Sequence, residues 1–257
     1  MPITYTDTHT HLYDERFLDD SDAMILRSLD AGVTKMFLPN CDSETIAPMM
    51  QLAARWPQHC FPMMGIHPCY IKENYLQELA IAESWLQREK FAAVGEIGLD
   101  YYWDKTFVAQ QKEAFNIQMD WALQYDLPIV IHTRDSMTDG IAMVAARQNG
   151  KLRGIFHCFG GSAEEARQII DLGFYLGIGG VVTYKNSTLP GVLKDIPLEH
   201  IVLETDAPYL TPVPYRGKRN ESAYIPLIGT TIATIKNCSV EEVADITTRN
   251  ATLLFGQ

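Results

Sequence analysis

A chain of 257 residues, 47% of them hydrophobic, carries enough apolar side chain for a large core. With 21 Lys plus Arg against 32 Asp plus Glu, its net charge of −11 argues against a general nucleic-acid coat or a membrane-surface protein. No apolar run is long enough to span a bilayer, and the five cysteines are odd in number with no C-x-x-C pair, which points to a reducing compartment and a cytoplasmic protein.

The first element is a strand at residues 6–12, in which Asp7, His9 and His11 alternate and are expected to share one face. This polar cluster follows Met1 so closely that no cleavable signal is expected before it. Short β-branched or apolar runs recur at 33–38, 61–66, 92–97, 129–133, 154–158, 174–178 and 201–205, which makes eight strands. Helical spacing fills the intervals, as in Phe115, Met119, Ala122 and Leu123 after the fourth run. Thr106 and Asp135 are candidate N-caps, Ser162 with Glu165 has the form of a capping box, and Ser239 with Glu242 opens a last helix toward Thr252. No linker or composition shift divides the chain. Eight strand-then-helix units predict an α/β fold, a (β/α)8 TIM-type barrel forming a single domain over residues 1–257. A doubly wound open sheet normally begins with a glycine-rich turn, and Asp7-Thr8-His9-Thr10-His11 is not one.

In such barrels the active site lies at the carboxyl ends of the strands. The polar residues expected there are His9 and His11, His67, Glu96, His132, His157 and Asp206, so five of the seven histidines fall at one rim. Taken singly, His9-x-His11, His132 and His157 read equally as hydrogen-bonded core histidines, and Asp206 as a cap on the turn at Ala207-Pro208. Glu96 is harder to explain that way, because a carboxylate in a buried strand is costly unless paired. Together these donors favour a two-metal centre with a bridging carboxylate. Histidine and carboxylate donors suit Zn2+ or Mn2+, whereas Mg2+ normally prefers oxygen.

The stretches D-T-H-T-H-L, G-I-H-P, V-G-E-I-G-L-D-Y, I-V-I-H-T-R-D, F-H-C-F-G-G and L-E-T-D-A-P-Y-L-T-P resemble the TatD family of metal-dependent deoxyribonucleases, in order, from residue 7 to about Asn220. The resemblance implies a (β/α)8 barrel holding two divalent ions. It implies His9, His11, Glu96 and Asp206 around one ion and Glu96, His132 and His157 around the other, with His67 touching a phosphate. It also implies a nuclease that removes nucleotides from DNA, at the 3′ end of a single strand.

Two cations lower the pKa of a bound water and neutralise charge on phosphoryl oxygens, so no serine or cysteine nucleophile is required. Asp206 can ligate and accept the water's proton. Glu204, two residues earlier, is either an acceptor that orients a ligand histidine or half of an internal ion pair. Asp7 has the same two readings, near the barrel floor. Cys158 should face away from His157 into the core. On the substrate side, Arg134 either meets a phosphate or pairs with Asp135. Tyr184 and Lys185 follow the seventh strand, and Arg216, Lys218 and Arg219 after the eighth form a phosphate clamp or a solvated charge run. Tyr101-Tyr102-Trp103 can stack bases or edge a lid. The expected partner is therefore DNA, with no membrane, acted on by a monomer or weak homo-oligomer. A hydrolase of a small amide, lactone or amino-purine and a non-catalytic metal-binding scaffold are the alternatives. The basic residues weigh against the first, and the full donor set against the second.

Overall fold

A computed structural model describes residues 3–257. Eight parallel strands alternate with helices: β1 (Tyr5–Asp7), β2 (Val33–Pro39), β3 (Cys60–Met63), β4 (Val94–Asp100), β5 (Ile129–Arg134), β6 (Gly154–Phe156), β7 (Tyr175–Ile178) and β8 (Ile201–Leu203). The main helices are α1 (Ser21–Asp30), α2 (Ile46–Arg55), α3 (Tyr75–Leu86), α4 (Val108–Tyr125), α5 (Met137–Arg147), α6 (Ala163–Asp171), α7 (Leu189–Leu193), α8 (Ile225–Lys236) and α9 (Val240–Phe255). The strands form two ladders, β1-β2-β3 and β4-β5-β6-β7-β8. Backbone bonds close both gaps: Thr8 N donates to Leu203 O and Asp206 N to His9 O on one side, and Met64 N to Ala93 O and Gly95 N to Met64 O on the other. The result is a (β/α)8 barrel. Among the described residues, no helix is long and apolar enough to cross a membrane.

The barrel floor is apolar. Val130, Ile155 and Val202 lie two residues before His132, His157 and Glu204, so strand periodicity turns them inward beneath the polar rim. They pack with Phe37 and Met63 against Ala251, Leu254 and Phe255 of α9, and the Phe37 and Phe255 rings stack at 3.9 Å. Burying each of the large side chains is worth about 1.5–3 kcal/mol. The remaining helices cover the outer faces of the strands, α4 through the predicted Phe115, Met119 and Ala122.

Strand ends differ from expectation, and the difference shapes the rim. β1 stops at Asp7 because the Asp7 carboxylate accepts from His9 N at 3.3 Å, a local turn that takes the chain off the ladder. Asp7 does not share a face with the histidines. Its oxygens take Thr205 N, Thr205 Oγ1 and Ser222 Oγ, so it ties β1 to the segment after β8 at the rim end, not at the floor. β6 and β8 are likewise shorter than predicted, while β4 runs on to Asp100. The Ser162–Glu165 capping box is present, and Ser239 Oγ accepts from Glu242 N. Thr106 and Asp135 are not caps; α4 and α5 start after Phe107 and Ser136.

Candidate metal centre

Only Glu96 and His132 stand within strands; His9, His11, His67, His157, Glu204 and Asp206 lie just past the carboxyl ends of β1, β3, β6 and β8. Non-helical turns place them there: Cys158 and Asp206 both adopt left-handed backbone, with φ of 47° and 55°. Close strand approach requires glycine at two points. A Cβ on Gly98 would collide with the His132 carbonyl, and one on Gly177 with Oε2 of Glu204.

Glu96 sits at the middle, with its two oxygens facing different histidines. Oε2 lies 3.1 Å from His9 Nε2 and 3.5 Å from His11 Nε2. Oε1 lies 2.9 Å from His132 Nδ1 and 3.2 Å from the Nε2 atoms of His157 and His67. Asp206 Oδ1 completes the first side, 3.8 Å from His9 Nε2 and 3.5 Å from His11 Nε2. Three sets have donor atoms close enough to share an ion: His9, His11 and Asp206; His9, Glu96 and His157; and His67, Glu96 and His132. The expected set of Glu96, His132 and His157 is not one of these, although both rings face Glu96 Oε1.

What the far nitrogen of each ring does separates ligand candidates from the rest. His11 Nδ1 lies 3.0 Å from Tyr13 Oη, and Tyr13 itself donates to the Pro39 carbonyl, so the imidazole must be the donor and Nε2 keeps its lone pair toward Glu96 and Asp206. His132 Nε2 lies 2.9 Å from Asp100 Oδ2, leaving Nδ1 inward. His157 Nδ1 lies 3.2 Å from Glu204 Oε1, within ion-pair distance but not aligned as a hydrogen bond, and Nε2 is inward; His9 Nδ1 has no group behind it. A carboxylate or hydroxyl behind an imidazole is how metal-ligating histidines are held. His67 has the opposite arrangement. Its Nδ1 accepts from Cys69 N at 3.0 Å, so the neutral ring carries its proton on Nε2 and offers the centre a donor in place of a lone pair. That removes the third set as a conventional ion site.

Of five buried side-chain polar atoms left without a hydrogen-bond partner among the described residues, four belong here: His9 Nδ1, His9 Nε2, His157 Nδ1 and Glu204 Oε2. Orphaned buried donors and acceptors are costly, and a cation beside Glu96 would answer His9 Nε2, the one of the four that faces the centre. Charge points the same way. Burial would raise the Glu96 pKa, but His67, His9 and His157 hold it well below the ordinary carboxylate range. Burial also opposes ionisation of Asp206, where the hydrogen bond with His11 and the charges of His157 and His9 prevail. Burial depresses His157, yet Glu204 and Glu96 carry it well above a free imidazole. Burial, together with His157, lowers His9. The carboxylates therefore favour positive charge at this point, which a bound metal ion would supply in place of the imidazole protons.

Residues 6–256 match the family described as TatD related DNase. The chain belongs to this family. It is 39% identical over 250 residues to a Bacillus subtilis protein described as uncharacterized metal-dependent hydrolase YabD, covering 97% of this chain and 98% of the relative. It is 30% identical over 258 residues to the Escherichia coli uncharacterized metal-dependent hydrolase YjjV, covering 99% of each. The crystal structure of YjjV matches 100% of both chains with a TM-score of 0.94 at 28% identity. The protein is thus a metal-dependent hydrolase of the TatD family, built on that family's barrel.

Around the mouth of the TatD-family site the structure sorts the predicted substrate residues. Arg134 does not pair with Asp135; its guanidinium lies 3.7 Å over the Tyr102 ring and 5.1 Å over Trp103. Arg216 lies 3.9 Å over the Tyr184 ring. Neither has a carboxylate partner among the described residues. The proposed clamp of three is not a unit. Arg219 binds Asp20 through two bonds of 2.7 and 2.8 Å and the Arg16 carbonyl, and Asp20 and Glu221 also hold Arg27 of α1. Its charge is neutralised inside a structural network. Lys218 stands 5.6 Å over Tyr215. Cys158 is not core: its left-handed backbone turns it into a cavity of about 460 Å3 shared with Tyr101, Arg134, Ser136, Gly160 and Glu165.

Two residues that the sequence reading passed over complete the centre. Asp100, in the same G-E-I-G-L-D stretch as Glu96, sits four positions on along β4 and therefore on the same face, a spacing that could have singled it out. Tyr13, two residues after His11, carries no comparable signal.

Proposed function

We propose that this TatD-family protein hydrolyses phosphodiester bonds of DNA, acting as a 3′–5′ exonuclease on single-stranded ends, with two divalent ions at the barrel mouth. The observation that carries the reading is the pairing of a carboxylate-centred histidine cluster with two uncompensated arginines, Arg134 and Arg216, in a chain of net charge −11. The reacting group of a lactone, amide or amino-purine is uncharged, whereas every phosphodiester carries the negative charge that these cations would pair with.

His9, His11, Asp206 and Glu96 Oε2 would hold one ion, and Glu96 Oε1, His132 and His157 the other. Such ions lower the pKa of coordinated water and neutralise charge on the reacting phosphoryl group. The chain's own residues do the rest. Glu96 would be shared between the ions, Tyr13 and Asp100 fix the rings of His11 and His132 while Glu204 faces that of His157, and Asp206, free to accept through its second oxygen, would take a proton from the attacking water. His67 presents its Nε2 proton beside Glu96 and donates it to a phosphoryl oxygen. Arg134 and Arg216 would receive flanking phosphates.

The test is metal-stripped protein reconstituted with Mg2+, Mn2+ or Zn2+ singly and assayed on end-labelled single- and double-stranded oligonucleotides, with a lactone and deaminase panel alongside. Metal-dependent shortening of single strands from the 3′ end is expected. Turnover of a lactone or amino-purine with no cleavage of DNA would refute the reading.

A further inference from the structure

The loop between β4 and α4 presents aromatic surface that the metal chemistry does not use. Trp103 is the only exposed tryptophan of the four, at 68% of its surface, and Tyr102 beside it is 52% exposed. Their rings meet edge to face at 4.9 Å, and the Arg134 guanidinium lies over both. Tyr101 is not part of this surface; it turns inward and its hydroxyl donates to Asp139.

The pair is held in register with the reacting centre. Asp100 Oδ2 faces His132 Nε2 at 2.9 Å, and Oδ1 of the same carboxylate accepts from Tyr102 N and Trp103 N at 2.9 and 3.1 Å. One side chain thus fixes a ligand imidazole and the backbone that carries the aromatic rings. Farther along the loop, Asp104 is tied to Lys72 at 2.8 Å. A lid edge needs freedom at these points; a binding platform needs this anchoring. Arg134 also lines the cavity that holds Cys158, the residue after His157, so the guanidinium that covers the rings is shared with a cavity adjoining the metal centre.

Resting on the nuclease reading above, we propose that Tyr102, Trp103 and Arg134 form a stacking subsite for an unpaired nucleobase flanking the scissile phosphate. Exposed aromatic faces with an arginine alongside accept any base without regard to sequence, provided the base is not already stacked in a duplex. In a chain whose surface charge repels polyanions, such a subsite supplies affinity that long-range electrostatics does not.

The subsite is tested by crossing enzyme and substrate changes. Oligothymidylate is compared with the same strand carrying abasic residues beside the cleaved bond, using wild type, Trp103→Ala and Trp103→Phe. Fluorescence titration in EDTA reads binding, and Mn2+-supported cleavage reads KM. Trp103→Ala should raise KM for oligothymidylate roughly 5- to 150-fold and lose the preference for intact over abasic strands, which Trp103→Phe restores in large part. Wild-type fluorescence should be quenched more by the intact strand. Equal binding of intact and abasic strands by wild type, or an undiminished preference in Trp103→Ala, overturns the subsite. Base-dependent quenching in a protein that cleaves no phosphodiester would support the subsite and refute the nuclease reading.

Discussion

Asp100→Asn isolates the device that orients His132. In the native centre the carboxylate accepts from His132 Nε2 at 2.9 Å and from two loop amides, and burial of the carboxyl is outweighed by the His132 hydrogen bond, so its pKa lies well below the ordinary range. The asparagine oxygen can keep both amides, which places its NH2 against His132 Nε2. To accept from that NH2 the ring must move its proton to Nδ1, the atom facing Glu96 Oε1 at 2.9 Å, and a protonated nitrogen cannot ligate. A hydrogen bond to a charged acceptor contributes about 1.5–3 kcal/mol. Loss of a partner behind a ligand histidine weakens metal affinity by about 10- to 100-fold. The two scales agree. Zn2+ and Mn2+ titrated against a competing chelator should therefore show one of two ions weakened by that factor, with the other near wild type and metal-free thermal stability little changed. Unaltered affinity for both ions would refute the tautomer argument, and collapse of both would mean that His132 supports the whole centre.

Gly177→Ala places a methyl against Glu204 and the His157 backbone, so it should cost about 1–3 kcal/mol by urea denaturation and weaken the second ion, read by the same chelator competition. Arg216→Ala should raise KM for oligonucleotides several-fold and reduce its dependence on salt, whereas Arg219→Ala should lower stability by about 1 kcal/mol with a smaller effect on KM; equal effects on KM would restore the three-residue clamp. Asp20 is held down to about 2 by the Arg219 hydrogen bond, with Arg27 adding to it. Because its folded pKa is depressed, the stability it contributes is present above the unfolded value of about 4 and is lost as pH falls toward 2. Asp20→Asn should therefore flatten the acid limb of the stability curve between those limits, measured by urea midpoints at successive pH values.

Much of this protein is written locally. Eight apolar runs separated by helical spacing set the barrel, because inward and outward faces follow from a two-residue period that any strand obeys. The same period places a polar residue at the end of three inward rows, above Val130, Ile155 and Val202, so His132, His157 and Glu204 are legible as rim residues from their neighbours alone. What the local pattern does not carry is the partner of each polar atom. His67 and His132 are both histidines near strand ends, yet one accepts a hydrogen bond from the Cys69 amide and the other donates one to Asp100. Arg219 and Arg134 are both cations at the rim, yet only Arg219 meets a carboxylate, Asp20, from 199 residues away in the chain. Strand ends were misplaced for the same reason: Asp7 turns its backbone through a side-chain bond and then closes the barrel onto Thr205 and Ser222. Facing is a property of a few consecutive residues, but proton direction, charge compensation and tautomer depend on atoms about 3 Å away that the chain supplies from anywhere, and only tertiary packing brings those atoms together.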